Sequence, residues 1–401
     1  MRAFLTVILL CTFTVTAFSQ VRFSGFLQSS VYTFETPTVA QGEFFQGVRL
    51  RATPESYSKA YLNTYLRIAK RGDADWEERV YNLYVDYKTR NNKFRLRAGR
   101  QFVYQGVING TLDGLLLSGN LTKDFKLKVF GGAAAPFSRE LEVLNISDNS
   151  ALGIFASYRF PWKTKLDISY FRRKRNGNVN WHLVGAAASG KVKKDWYYQF
   201  KVDYKPSGAA GFLDFADLKF QGLRGRLSYY HDRWALWGEY NSQKPRVFED
   251  SYFTIFNIEA YDQARAGITY QLQQYQFGMQ YLYTNHFVDQ TNQVIATAGN
   301  RWGLLGFVFQ EGFGGENLGF YGDIRYPVIP QLTIKLYGSY YNFERQTTVI
   351  SEEATSFSGG FDYRVIETLS LQAEVQQSIN SLYDDDWRGL FRVLFHFGKG
   401  N

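Results

Sequence analysis

Apolar and polar residues alternate with a period of two through segment after segment of this chain. No other feature limits the fold as much. Val48, Leu50 and Ala52 alternate with Arg49 and Arg51; Phe94, Leu96 and Ala98 with Arg95 and Arg97; Phe125, Leu127 and Val129 with Lys126 and Lys128. Phe200, Val202 and Tyr204 alternate with Lys201, Asp203 and Lys205, and Leu371, Ala373 and Val375 with Gln372, Glu374 and Gln376. Successive strand side chains point to opposite faces, so each segment has one apolar and one charged face. The segments run about 10–13 residues, longer than the ~5–6 of a soluble strand and matched to the ~9–11 that a tilted strand needs to cross a bilayer. Lipid offers no hydrogen bonds, so a sheet within it must have no free edge. The expected fold class is all-β, a transmembrane antiparallel β-barrel.

The first residues set the compartment. Met1-Arg2, the apolar run Ala3 to Val15 and the small-x-small Ala17-Phe18-Ser19 read as a secretory signal peptide over 1–19, cut between Ser19 and Gln20. That run is shorter than the ~20 apolar residues of a spanning helix. Cys11, the single cysteine, lies inside it, so the barrel expected over 20–401 has no disulfide framework. Aromatics make up 18% of the chain, with 35 Phe and 29 Tyr, as expected of girdles at two membrane interfaces. The net charge is +9. Basic side chains can line a lumen, face lipopolysaccharide phosphates or be solvated, whereas export argues against nucleic acid as a partner. The expected location is the bacterial outer membrane, with its lipid and lipopolysaccharide as partners. Phe391 to Phe397 alternates up to a near-terminal aromatic and resembles the last-strand signal read by barrel insertion machinery, although Gly398 to Asn401 follow it.

Short turns are expected at Asn91-Asn92, Pro161-Trp162-Lys163, Lys193-Lys194-Asp195, His231-Asp232 and Gln273-Gln274. Longer polar stretches at 34–45, 132–149, 243–260, 286–299 and 344–355 read as loops of the opposite end. About 21 strands can be marked out, and single-chain bacterial barrels mostly have an even number, so about 20 are expected, within 18–22. The rhythm breaks between 285 and 331, and the glycine-rich 205–222 is a second irregular stretch. A strand begins just after the cleavage site, so no plug domain is expected.

Gly99-Arg100-Gln101 closes one strand and Asp113-Gly114 opens the next. This arrangement, within residues 95–119, resembles alginate-export-type outer-membrane porins and is similar to porin-like barrels that sheath multihaem cytochromes. The resemblance implies a porin-like barrel. Alginate-export proteins carry long lumen-folding loops, which the stretches between strands here do not match in length.

By parity Arg49, Arg51, Arg67, Arg95, Arg97, Lys126, Lys128, Lys201, Lys205, Lys335, Arg364 and Arg392 point inward, with Asp86, Asp203, Asp362 and Glu374. Such a lumen favours anions, unless opposite charges pair across neighbouring strands, as Asp86 beside Arg95 or Arg97 would. Parity aims Arg100 at lipid, so it is expected at the rim or turned inward by a bulge, with Asp113 as an anchoring partner. Arg172 to Arg175 end one strand and start a loop, where they are solvated or face lipopolysaccharide phosphate or an acidic partner, and Asp384 to Asp386 read as solvated loop residues. His182, His231, His286 and His396 are scattered, no paired-carboxylate or nucleophile pattern stands out, and no cofactor or covalent haem is expected. Two functions remain: an open channel for small hydrophilic solutes, its mouth constricted by 132–149, 243–260 and 286–299, or a sheath around an exported partner protein.

Overall fold

Alternating segments of this kind gain their backbone hydrogen bonds from neighbours, and the computed structural model shows how. It describes residues 21–35, 40–206, 218–244, 261–286, 289–312, 315–345, 348–380 and 383–398; the expected leader and its Ser19–Gln20 junction lie outside the described residues. The strands are Val21–Glu35 (β1), Ala40–Pro54 (β2), Ala60–Arg71 (β3), Glu77–Lys88 (β4), Phe94–Gln105 (β5), Ile108–Asn120 (β6), Phe125–Ala134 (β7), Ser150–Arg159 (β8), Lys165–Arg175 (β9), Asn178–Lys193 (β10) and Trp196–Pro206 (β11). They continue as Leu218–His231 (β12), Trp234–Gln243 (β13), Tyr261–Leu272 (β14), Tyr275–His286 (β15), Asp289–Asn300 (β16), Gly303–Gly312 (β17), Asn317–Ile329 (β18), Leu332–Arg345 (β19), Thr348–Ile366 (β20), Leu369–Asn380 (β21) and Tyr383–Phe397 (β22). Each pairs antiparallel with the next, and β22 returns to β1 from Gly25↔Phe397 to Phe34↔Arg388, closing a 22-stranded barrel.

The count exceeds the expected 20. The stretch 286–299, read as a loop, is mostly β16, whose Gln, Asn, Thr and Ala residues lack the apolar alternation that marks other strands. The stretch 344–355 likewise falls largely within β20. At one end the connections are short, the longest being 55–59, 89–93 and 160–164. Several turn there through left-handed residues, Asn92, Lys163, Asp232 and Gln273, as tight hairpins require. Residues 135–149 belong to the opposite, long-loop end, and 245–260 lie outside the described residues.

The outer face carries exposed apolar side chains such as Leu96, Leu117, Ile168, Phe200, Phe320 and Phe391. The inner face carries the polar partners of the alternation. The pattern changes at β4 to β7. β4 and β5 pair only from Leu83↔Arg100 to Lys88↔Arg95, while β5 and β6 stay in register from Phe94↔Gly119 to Gln105↔Ile108. Beyond Arg100 and Leu112 the β5–β6 hairpin therefore leaves the wall.

It turns inward. The tip amide of Val107 donates to Ser169 Oγ of β9 at 3.0 Å. Val103, Val107, Ile108 and Leu112 form one buried cluster with Phe130, Phe155, Phe171 and Leu183, which lie on the inner face of β7 to β10. Burying each such side chain contributes ~1.5–3 kcal/mol, so the hairpin is a packed part of the barrel. The bend needs glycine. Gly99 has φ +118°, and a Cβ there would run into the Leu83 carbonyl oxygen. Its partner Gly114 faces Gly132 so closely that a Cβ on Gly132 would lie 2.6 Å from Gly114 Cα.

Candidate functional site

The inward hairpin and the charged wall around it form the candidate site. Above the bend, the segment 135–149 closes the wall that the hairpin has left: Val80 N donates to Arg139 O at 2.7 Å and Ala135 N to Thr111 O at 3.0 Å. A non-strand backbone in that position leaves carbonyl groups to be satisfied, and Arg100 satisfies them. Its Nε and Nη2 donate to the two carboxylate oxygens of Asp113, each at 2.7 Å. Nη1 donates to the carbonyls of Arg139, at 3.2 Å, and Glu140, and Nη2 to that of Glu142 at 2.7 Å. All five guanidinium hydrogens are thereby used, and the side chain is 3% exposed. Arg100 is neither at lipid nor bulged in register. The bend in the strand pair carries its face away from the bilayer. Gln101, fully buried, donates from Nε2 to Gly114 O at 3.3 Å. Gly99, Arg100, Gln101, Asp113 and Gly114 thus make up the hinge of the hairpin.

Below the hinge, Asp86 is buried and binds two guanidinium groups, Arg95 Nε at 2.8 Å and Arg97 Nε at 3.0 Å. Arg97 also stacks over Tyr84 at 4.3 Å. Elsewhere on the inner face Lys201 pairs with Asp203 at 2.9 Å, Lys335 with Asp362 at 2.6 Å and Arg67 with Glu43 at 3.6 Å. Arg392 donates to Gln372 at 3.1 Å, and Arg51 lies 3.9 Å over the Tyr61 ring. Much of the positive charge assigned to the lumen by parity is therefore already compensated across or along strands. Arg49, Arg364 and Glu374 lie across from Tyr65, Ser370 and Gly360 respectively.

One region is different. Under the hairpin tip, at the short-turn end, lies a cleft of about 520 Å³ lined by Lys88, Lys93, Arg95, Lys126, Lys128 and Lys165, with no carboxylate in its lining. Lys128 Nζ donates to Gln105 Oε1 of the hairpin at 2.6 Å. Lys165 pairs with Asp167 at 2.6 Å. Parity reasoning gave Lys126 and Lys128 but not Lys88, Lys93 or Lys165, which sit at strand ends where alternation stops being informative.

Other expectations change. Arg172 to Arg175 end a strand, as expected, but all four lie within β9 and none in the loop: Arg173 stacks over Trp181 at 5.2 Å, and Arg175 over Phe137 at 3.1 Å. Asp384 to Asp386 belong to β22, and Asp386 binds Arg388 at 2.7 Å. Of the stretches expected to constrict the mouth, 286–299 is mostly β16 and 245–260 lie outside the described residues, while the β5–β6 hairpin packs across the inner face of β7 to β10. No group of three or more metal-ligating side chains occurs among the described residues.

No family model matches this chain, and no curated protein does. Solved structures do resemble it. OccAB4 of Acinetobacter baumannii is 10% identical, with 94% of this chain and 98% of that one covered, at a TM-score of 0.45. OpdQ of Pseudomonas aeruginosa is 11% identical over the same shares, also at 0.45. A BenF-like porin from Pseudomonas fluorescens Pf-5 is 10% identical, covered 94% and 99%, at 0.42. A likeness this distant carries no argument about the solute or the mechanism.

Proposed function

We propose that this chain is an outer-membrane diffusion channel for small hydrophilic solutes, favouring anions. The single observation that carries the reading is the β5–β6 hairpin packed across the inner face of β7 to β10, which narrows the lumen of a closed barrel. An exposed apolar outer face with a charged inner face supports placement in lipid. Lys88, Lys93 and Lys126, under the hairpin and without an ion pair among the described residues, support the anion preference. A sheath around a partner protein would call for unobstructed inner space, and the hairpin weighs against it. Lipopolysaccharide is the proposed neighbour at the long-loop rim, and the insertion machinery the proposed reader of Phe391 to Phe397. An exported leader over 1–19 belongs to the same proposal.

The test is single-channel recording of the purified barrel in a planar bilayer under a salt gradient. Stable conductance steps with a reversal potential displaced towards the chloride equilibrium value are expected. A closed barrel, or a cation-directed reversal potential, would overturn the reading.

A further inference from the structure

The cleft beneath the hairpin tip joins residues from four connections or strands: Lys88, Asn92 and Lys93 around the β4–β5 turn, Ser118 and Asn120 of β6, Lys126 and Lys128 of β7, and Lys165 of β9. Two of its cations are held by acids that lie outside the lining, Arg95 by Asp86 and Lys165 by Asp167. Lys88, Lys93 and Lys126 have no ion pair among the described residues, and Lys128 is held by a neutral amide. Lys128 is close enough to feel the positive charges of Arg95, Arg97, Lys126 and Lys165. Like charges gathered in a cleft with low-dielectric walls repel one another and are relieved by an anion.

The residue types narrow the anion. The two-pronged guanidinium fork recognises carboxylate and phosphate alike, and the one arginine here already uses its fork on Asp86. The remaining cations are lysines, compact ammonium point charges on flexible stems, and several gathered with no carboxylate in the lining favour the anion that packs most negative charge into the smallest volume, as phosphate groups do. The hydroxyls of Ser118 and Ser157 add neutral donors to the lining. We infer that this cleft is a binding site for phosphate-bearing solutes with two or more negative charges, entered from the short-turn end of the barrel. The inference rests on the channel reading and adds to it a retained ligand of a defined class.

Chloride-carried current through the wild-type barrel would be recorded while diphosphate or citrate is added to one side at a time. Diphosphate added at the short-turn side is expected to block at roughly tenfold lower concentration than citrate of similar charge, and Lys126→Gln with Lys128→Gln to raise its half-blocking concentration by about tenfold, since a hydrogen bond to a charged group is worth that much or more. The chloride steps of the variant report that its barrel is intact. Equal block by citrate and diphosphate, block from the long-loop side alone, or block insensitive to the two substitutions would each overturn the site. A barrel with no conductance at all would remove the channel reading but not the site. Phosphorus-NMR line broadening of diphosphate by the detergent-solubilised barrel then decides: broadening lost in the variant supports the site, and absence of broadening overturns it.

Discussion

The guanidinium of Arg100 and the carboxylate of Asp113 meet through two parallel hydrogen bonds of 2.7 Å, on a face that strand parity assigns to lipid. The same guanidinium holds three carbonyls of the segment that seals the wall behind the hairpin. Removing one partner of a buried pair costs ~3–5 kcal/mol. Arg100→Leu strands both the carboxylate and the carbonyls, and Asp113→Asn leaves the carbonyl contacts in place. The leucine variant should therefore lower the unfolding midpoint in urea more than the asparagine variant, and should expose residues 137–143 to protease. Exchanging the two residues should not restore stability, because an aspartate at position 100 has no hydrogens to give. Equal stability of the two single variants would remove the sealing role.

Shortening the hairpin should widen the channel. Replacing Val103 to Gly110 with a tight turn leaves the β4–β5 and β6–β7 pairings below the bend untouched. It takes away the apolar residues that lie against Phe155 and Phe171. Conductance of the shortened barrel is expected to rise several-fold. An unchanged step size would mean that the narrowest point lies elsewhere.

Gly99→Ala tests the bend itself. With φ at +118° and the Leu83 carbonyl oxygen in the path of a Cβ, the substitution introduces backbone strain of ~1–3 kcal/mol as well as a clash. The expected outcome is a lower folding yield, read as the fraction of the heat-modifiable, fast-migrating band on a gel. Gly177 also has positive φ but nothing within 4 Å of its added Cβ. Gly177→Ala should therefore be the milder of the two.

Asp86→Asn frees Arg95 and Arg97 from the acid they share. The inner wall gains one unit of positive charge, so the reversal potential in a salt gradient should move further towards that of chloride. The shift should shrink as ionic strength rises, because the Debye length falls to ~3 Å at 1 M salt. A move towards cation preference would contradict the assignment of these arginines to the solute path.

Alternation made the barrel legible, because charged and apolar residues mark the two faces wherever one faces lipid and the other water. Two kinds of information escaped it. Gln290, Thr291, Asn292 and Gln293, near the start of β16, are polar on both parities and carry the pattern of a loop. The folded hairpin escaped for the opposite reason. Leu112, Leu116, Phe130, Phe155, Phe171 and Leu183 are apolar at positions whose parity is inward, and in this barrel such residues must be covered by something. Taken with Arg100 and Asp113 at outward parity, they form a reversal of the two faces confined to β5 to β10, and that reversal is the signature of a strand pair folded in upon its own wall. A place for Asp86 beside Arg95 or Arg97 was legible because the β4–β5 turn fixes the register; that it binds both was not. The lysines at strand ends were not, since side-chain direction there depends on the turn.

Because the narrowing element is the continuation of two wall strands, the size of the opening is not tied to the number of strands. A barrel of given circumference can be made tighter or looser by adding or removing residue pairs at the Gln105–Ile108 tip, with every register elsewhere preserved. Such a protein can be retuned by small insertions and deletions at one hairpin, where a barrel gated by its circumference would need whole strands gained or lost.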